Sequence, residues 1–484
     1  MERRWRFRPG NKAEVWGLPV HLSAMVRGAA SWGYYSLWPH LRPRGYIGRL
    51  AAAVREREGR EWETPEAVWH RQKSRLNALF ESATRHVPYY RRLAQEGRMP
   101  LRIECPEDWA AMPVLTKDII RREGDALLAD NFPRDQMHRN ATGGSSGSPL
   151  HFWNDQAAVF MGNVGEAWAT SVAGLRASDS IASLWGAARF EPDMGKDFKD
   201  ALKRLITNRL VIDCFRMSEA DLADANRRLG RFRPSGLLGY ASALVELASF
   251  LQRHGLRPKY PRKAIISAAE TLDSAARRTL EAVFGVPVFD RYGSREIGLI
   301  AVECDRHSGL HVDCENVFAE LDDDSGVPGM QRILVTKLHQ FSMPFIRYAI
   351  EDLAEGPLAP CPCGRGYPVL RRILGRMTEI LRKPDGGCLP GELFPHLLKD
   401  CGIASYRVVQ AQDYSVDVAL VRMPEQTPQQ DEHLRRIIGR HLGPDVPLTI
   451  RYVEAIERSA SGKLLPVISH APKVPAGMSQ KVRE

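Results

Sequence analysis

The chain lacks an apolar run long enough to cross a bilayer. A mildly apolar stretch, residues 18–38, is interrupted by His21, Arg27 and several glycines, where a span needs about 20 consecutive apolar residues. A surface helix or helix pair is expected there instead, with a segment that skims a membrane surface as the alternative. The opening MERRWRFRPGNKAEVW has no apolar core of a secretory signal, so the cytoplasm is the expected location. Cysteine is scarce: eight in 484 residues exclude a disulfide scaffold. There is no internal repeat, no low-complexity tract, no long basic tract and no zinc-finger array, so no nucleic-acid partner is expected. Lys+Arg exceed Asp+Glu by 68 to 58, a balance that favours anionic partners without bearing on fold. Also missing are the Gly-Lys-Ser/Thr of a Walker A loop, a dinucleotide fingerprint, a hydrolase elbow and a metalloprotease His-Glu motif.

What is present is an ordinary globular composition, 44% hydrophobic and 26% charged, with length for two or three domains. From about residue 65, helical and strand-like segments alternate. Trp69, Leu76, Leu79, Phe80 and Ala83 share one helical face. Ser218 opens a helix with Asp221 in capping-box position, and Gly230 is its expected stop. Residues 242–255 and 273–285 read as helices ending at glycine, VPVFD and RILVTKL as strands. The rhythm predicts an α/β body. Residues 405–423 read as a hairpin, 429–442 as an amphipathic helix and 446–456 as a strand, which predicts a separate small α+β domain. The junction is expected near LGRMTEILRKPDGG, 374–387. The expected division is 1–64, an N-terminal helical extension without a functional reading; 65–374, the large domain; and 375–484, the small one.

Five stretches carry chemistry. ATGGSSGSPL places Thr142, Gly143, Gly144, Ser145, Ser146, Gly147 and Ser148 together. Glycine admits the backbone angles that turn amides toward one phosphate, and hydroxyls add donors. A flexible linker has the same composition, but MHRNA and LHFWND on either side are strand-compatible, which a linker does not require. In FDRYGSREIG a tight Tyr-Gly-Ser turn is expected to present Tyr292, with Glu296 four residues on as a carboxylate for Mg²⁺. In PFIRYAIEDLAE, Asp352 follows an apolar stretch, as a carboxylate that accepts ribose hydroxyls does in dinucleotide folds. Arg376 stands at the junction, and RSASGK carries Lys463 in a turn. A sixth grouping is of another kind: PCPCGRG supplies Cys361 and Cys363, and ECDRHSGLH supplies Cys304, His307 and His311. Three thiolates and one imidazole complete a tetrahedral structural zinc site, with either histidine as the fourth ligand. Cys105, Cys214, Cys314, Cys388 and Cys401 have no such grouping, and His138, His151 and His254 are structural by default.

Taken together, ATGGSSGSPL, SAAETL, VFDRYGSREIG, FIRYAIEDLA, LGRMTEIL and RSASGK resemble the adenylate-forming superfamily. They are most similar to its phenylacetate–CoA ligase branch, which includes relatives from capsular-polysaccharide clusters. The resemblance runs from about residue 65 to 470, and MPVLTKDII (112–120) shares it. It implies a large multi-sheet adenylation body with a small, mobile C-terminal domain. It also implies an enzyme that uses ATP and Mg²⁺ to turn an aryl or other organic acid into acyl-AMP with release of pyrophosphate, then passes the acyl group to coenzyme A. Transfer to an amine or hydroxyl, and a non-catalytic nucleotide-binding homologue, are the alternatives. By the same resemblance, residues 142–147 hold the triphosphate, and Ala268, Ala269 and Glu270 line the adenine edge. Tyr292 sits by nucleotide and acyl group, Glu296 binds Mg²⁺, and Asp352 holds the ribose. Arg376 contacts the nucleotide, Lys463 stabilises charge during adenylation, and Trp185 and Tyr240 approach the acyl pocket, with core packing as the alternative for both. His311 is favoured over His307 for zinc, and homodimers are common in the branch. Three positions depart from the family pattern. Glu351 replaces the glycine before the ribose aspartate, Thr378 and Glu379 replace the usual aspartates, and Gly144 replaces a serine.

Overall fold

The computed structural model describes residues 20–100, 102–105, 108, 112–142, 150–186, 207–214, 217–323, 325, 330–376, 380–384, 388–390, 393–398, 401–423, 426–457 and 466–472. The chain is an α/β protein of several sheets, with a large N-terminal body and a small C-terminal α+β domain. At the centre is an eight-stranded sheet. Five strands run parallel, in the spatial order Val288–Ser294, Ala264–Ala268, Gly236–Tyr240, Ile181–Trp185 and Arg209–Asp213. Gly298–Glu303, Leu310–Val312 and Val369–Leu370 extend it antiparallel. AIISA (264–268) and IASLW (181–185) are buried at every residue. They read without polar alternation, as strands covered on both faces do.

Helices Glu219–Phe232, Ala241–Arg253 and Ser274–Phe284 supply Leu229, Leu244, Leu247 and Leu280 to the core on this sheet. The capping box of Ser218 and Asp221 is formed. The helix nevertheless runs past Gly230 to Phe232, and Arg233 ends it at φ +53°. An isolated glycine only weakens a helix, and packing of Leu229 outweighs that. Gly285, at φ +67°, does terminate the third helix.

A second, antiparallel sheet is ordered Val317–Asp322, Met330–Lys337, Tyr348–Glu355 and Ile373–Arg376. It shares the largest core with helix Pro65–His86, whose buried face is Leu76, Leu79, Phe80 and Ala83. In the C-terminal domain, strands Ile403–Gln410 and Val416–Arg422 form the expected hairpin. Leu448–Tyr452 and Val467–Ser469 flank it, and Leu434, Ile438 and Leu442 of helix Pro428–Leu442 pack on Val408, Val418 and Leu420. Arg376 closes the second sheet, whereas Leu381 already belongs to this third core.

The N-terminal extension is anchored by charge. Helix Tyr46–Arg60 packs on helix Gln156–Val172, and Arg57, 2% exposed, pairs with the fully buried Asp313 at 2.8 Å. A Cβ on Gly165 would stand 2.8 Å from that carboxylate, so glycine leaves the room the pair occupies. Arg60, Arg71 and Arg75 converge on Glu315. Burial alone would raise its pKa, yet Arg75 and Arg71 hold it down at about 2.

Candidate active site

The glycine–serine loop is the tip of a hairpin. His138–Ala141 pairs antiparallel with His151–Asn154, Ala141 opposite His151. At its neck the Thr142 amide donates to the Leu150 carbonyl and the Leu150 amide to Thr142 Oγ1, both at 3.0 Å. Gly143, Gly144, Ser145, Ser146, Gly147 and Lys463 lie outside the described residues. A cleft of about 450 Å³ opens at the neck, lined by Arg139, Asn140, Ala141, Thr142, His151 and Arg295. His151, which sequence alone leaves as structural, therefore lies on this cleft.

Tyr292 and Glu296 come from the edge where the parallel sheet turns antiparallel, outside the carboxyl ends of its strands, where open α/β sheets bind ligands. The turn differs from the expected one. Tyr292, Gly293 and Ser294 are still strand, and the turn is Arg295–Glu296–Ile297. Gly293 is needed for close approach, since a Cβ there would lie 2.4 Å from the Gly298 carbonyl oxygen. Glu296 thus sits in the turn itself, 5% exposed. Arg295 Nε donates to Asn140 Oδ1 at 3.1 Å, tying this turn to the phosphate-loop hairpin.

The second sheet closes the group. Tyr292 donates its hydroxyl to Asp352 Oδ2 at 2.6 Å. Asp352 stands opposite Arg376 in the strand register. Tyr348 donates to Glu296 Oε1 at 3.0 Å. Two tyrosines thus orient two carboxylates, Tyr292 that of Asp352 and Tyr348 that of Glu296. On the other side, Ala268 pairs with Arg291 and with Tyr240. The Tyr240 and Trp185 rings meet at 4.4 Å. Ala269 is left-handed, at φ +68°. The Glu270 carboxylate accepts the Ser242 amide at 2.8 Å, near the start of helix Ala241–Arg253. Among the described residues, then, Thr142, Ala268, Tyr292, Glu296, Asp352 and the Arg376 backbone belong to elements that meet at one edge.

Three further residues were not legible as site residues in the sequence. Tyr348 is four before Asp352, but the strand is irregular between them at the left-handed Glu351, so counting by twos along the sequence gives no signal for it. Lys337 is buried. Its ammonium donates to the Glu296 carbonyl and to Asn154 Oδ1, each at 3.1 Å. Burial pulls its pKa down to about 8, against Asp155 and Glu296, which raise it. Only the fold brings Asn154 and Glu296 to it. Glu351 explains the family's glycine: its φ is +71°, a left-handed conformation that costs a side-chain-bearing residue about 1 kcal/mol and glycine nothing. Here an ion pair with Lys117 holds it.

The cysteine cluster is a second centre. Cys304, His311, Cys361 and Cys363 bring their ligand atoms within 4.8 Å of one another. His311 Nδ1 lies 2.9 Å from the Tyr367 carbonyl. A carbonyl only accepts, so Nδ1 carries the proton and Nε2 offers its lone pair, 3.3 Å from Cys363 Sγ. The amides of Arg306 and Arg365 each point at the sulfur two residues earlier, at 3.5 Å. His307 stands apart, 3.2 Å from Glu303, so the fourth member is His311. Three thiols and one neutral imidazole, buried or half-buried, fit a tetrahedral zinc with no open position. The knuckle also meets the N-terminal extension: Arg365 pairs with Glu61 at 3.1 Å, and Gly366 donates to the Glu61 carbonyl at 2.8 Å.

The chain is 27% identical over 325 residues to a phenylacetate-coenzyme A ligase of Thermus thermophilus, covering 64% of this chain and 70% of that one. To Protein CapK of Staphylococcus aureus it is 20% identical over 317 residues, 65% of this chain and 69% of the relative. The fold matches 2-hydroxyisobutyryl-CoA ligase in the postadenylation state in complex with R3-HIB-AMP, with a TM-score of 0.65, 19% identity and coverage of 82% and 88%. An open conformation of that ligase, in complex with 2-HIB-AMP and CoA, matches at 0.53, with 20% identity over 82% and 90%. No family model matches the chain. The chain thus shares the fold of an acyl-CoA ligase, and in sequence it is similar to a phenylacetate–CoA ligase and to CapK.

Proposed function

We propose that the protein is an AMP-forming acid–thiol ligase that activates an organic acid with ATP and transfers the acyl group to coenzyme A. The observation that carries this reading is the line Tyr292–Asp352–Arg376 beside the Tyr348–Glu296 bond, on the edge that the phosphate-loop hairpin also reaches. The relatives of known name that are CoA ligases support it.

In the first half-reaction the acid's carboxylate oxygen bonds to the α-phosphorus, and the bond to the leaving pyrophosphate breaks. The work of the protein is positioning and stabilisation of charge. Asp352, itself held by Tyr292, binds the ribose hydroxyls, and Thr142 with the loop amides cradles the phosphates. Ala268 and Ala269 flank the base, and Trp185 and Tyr240 bound the acyl side. Glu296, a buried hard oxygen donor oriented by Tyr348, suits Mg²⁺, which when bound neutralises phosphate charge. In the second half-reaction the thiol's sulfur bonds to the acyl carbon and AMP leaves. The unit 375–484 acts as a lid that turns at the junction after Arg376, bringing Lys463 to the nucleotide for the first step only.

The test is ATP–pyrophosphate exchange over a broad acid panel, followed by thioester formation with coenzyme A set against an amine panel. Lys463→Ala is expected to abolish exchange while circular dichroism and melting stay those of the wild type. Wild-type exchange in that variant removes the role of Lys463, and no exchange with any acid removes the enzyme.

The cluster Cys304, His311, Cys361 and Cys363 is proposed to hold one structural zinc. Purified protein is expected to contain close to one equivalent. Cys363→Ser or chelation is expected to lose it and to speed hydrogen exchange in residues 359–370 and around Glu61. A metal-free preparation with unchanged exchange there would discard the site.

A further inference from the structure

The exposed apolar surface is concentrated in one place. Among the described residues, eleven large apolar side chains are exposed, and eight of them fall between residues 25 and 62. Six stand on a single helical run: Met25, Val26, Trp32, Leu37, Trp38 and Leu41. The run is helix Val20–Trp32, a π-helical turn Gly33–Leu37 and helix Trp38–Leu41. One side of it is docked. Ser31 and Pro39 are buried, and the Arg27 guanidinium lies 5.0 Å over the ring of Phe232, at the end of helix Glu219–Phe232. The other side carries Trp32 at 57% and Leu41 at 64% exposure. Scattered exposed apolar residues need no explanation, but a contiguous group marks a contact surface.

Charge identifies what it contacts. No Asp or Glu stands between Glu14 and Glu56, while Arg27, Arg42, Arg44, Arg49 and Arg55 do. Residues 1–49 hold nine Lys and Arg against two Asp and Glu, most of the chain's net +10. Arg42 and Arg44 are exposed directly after Leu41, and the Arg42 guanidinium lies 5.7 Å from the Trp38 ring. A second copy of the chain fits this face poorly, because a twofold contact would set these arginines against each other with no carboxylate between them. Tryptophan and arginine side by side on an apolar helical face are suited instead to the boundary between headgroups and acyl chains. No helix among the described residues is long and apolar enough to cross a membrane.

We propose that this run lies in the surface of an anionic bilayer. Trp32, Leu37, Trp38 and Leu41 enter the headgroup–acyl boundary, and Arg42 and Arg44 meet lipid phosphates. The adenylating body is then held at the membrane, where an amphiphilic acid or acceptor is concentrated. The contact does not depend on the catalytic reading, and its test needs no turnover.

The full chain is mixed with vesicles of phosphatidylcholine and phosphatidylglycerol in equal parts, and separately with pure phosphatidylcholine. Co-sedimentation and a blue shift of tryptophan emission are expected with the anionic vesicles only, weakening as salt is raised. Arg42→Gln with Arg44→Gln is expected to lower partitioning about thirtyfold, each arginine contributing roughly fivefold. Trp32→Ser with Trp38→Ser is expected to lower it about tenfold or more. Both pairs are on the surface and should melt as the wild type. Failure of the full chain to sediment with anionic vesicles overturns the proposal, as does equal binding to neutral ones or binding that survives both substitutions. A concentration-dependent dimer that the tryptophan substitutions dissolve, without vesicle binding, also overturns it and assigns the face to a second copy.

Discussion

Glu296→Gln is expected to slow ATP–pyrophosphate exchange about 10²–10³-fold, the usual cost of removing one charge-stabilising group from a preorganised site. The substitution keeps the side chain's size. A glutamine oxygen still accepts from Tyr348, which now bonds Glu296 Oε1 at 3.0 Å, and the backbone carbonyl still accepts from Lys337. The fold should therefore be unaffected, and only the anionic ligand is lost. Raising Mg²⁺ is expected to restore part of the rate, because a neutral amide still offers an oxygen but binds the ion more weakly. Exchange at the wild-type rate, at low as well as high Mg²⁺, would show that Glu296 supports the turn and nothing more.

Arg57→Met is expected to destabilise the body by about 3–5 kcal/mol, since it leaves Asp313 buried without a partner. Burial already pushes Asp313 up to about 6, even with Arg57 pulling it down. In the variant that opposing pull is gone, so its folded pKa rises further above the unfolded value. An acid raised in the folded state binds more protons there than in the unfolded chain. The variant is thus most stable below the unfolded pKa and loses stability as pH rises through the window up to its folded pKa. The difference between wild type and variant should be small in mild acid and largest near neutrality. Chemical denaturation across pH measures it, and a difference that does not vary with pH would deny Asp313 this part. Arg57→Met with Asp313→Leu should recover most of the loss, as replacing a whole buried pair by apolar groups often does. Hydrogen exchange should locate the damage in helix Tyr46–Arg60, which the pair pins to helix Gln156–Val172 through the space left at Gly165.

Much of the architecture was legible because local rules and tertiary packing agree. The cap at Ser218, the stop at Gly285 and the hairpin at 405–423 appear where composition places them. Where they disagree, packing prevails. Gly230 does not end its helix, because Leu229 is fully buried. The expected Tyr-Gly-Ser turn is strand, because Gly293 lets residue 292 stay paired with the neighbouring strand. The N-terminal extension read as helical in the sequence but had no functional reading. Its role rests on Arg57, Arg60 and Glu61, whose partners Asp313, Glu315 and Arg365 lie more than two hundred residues away.

By itself, the sequence carried the resemblance to the superfamily, the alternation of helix and strand, and the residues expected to carry chemistry. Those depend on spacings of a few residues, and a short loop or strand reports them directly. Only the tertiary structure decided that His311 rather than His307 stands with the three cysteines. It also set Tyr348 and Lys337 on either side of Glu296 and left the apolar and basic run at 20–44 facing outward. The physical reason is the same in each case. A side chain's partner is set by which strands and helices the core brings together, and that distance in space has no counterpart in distance along the chain.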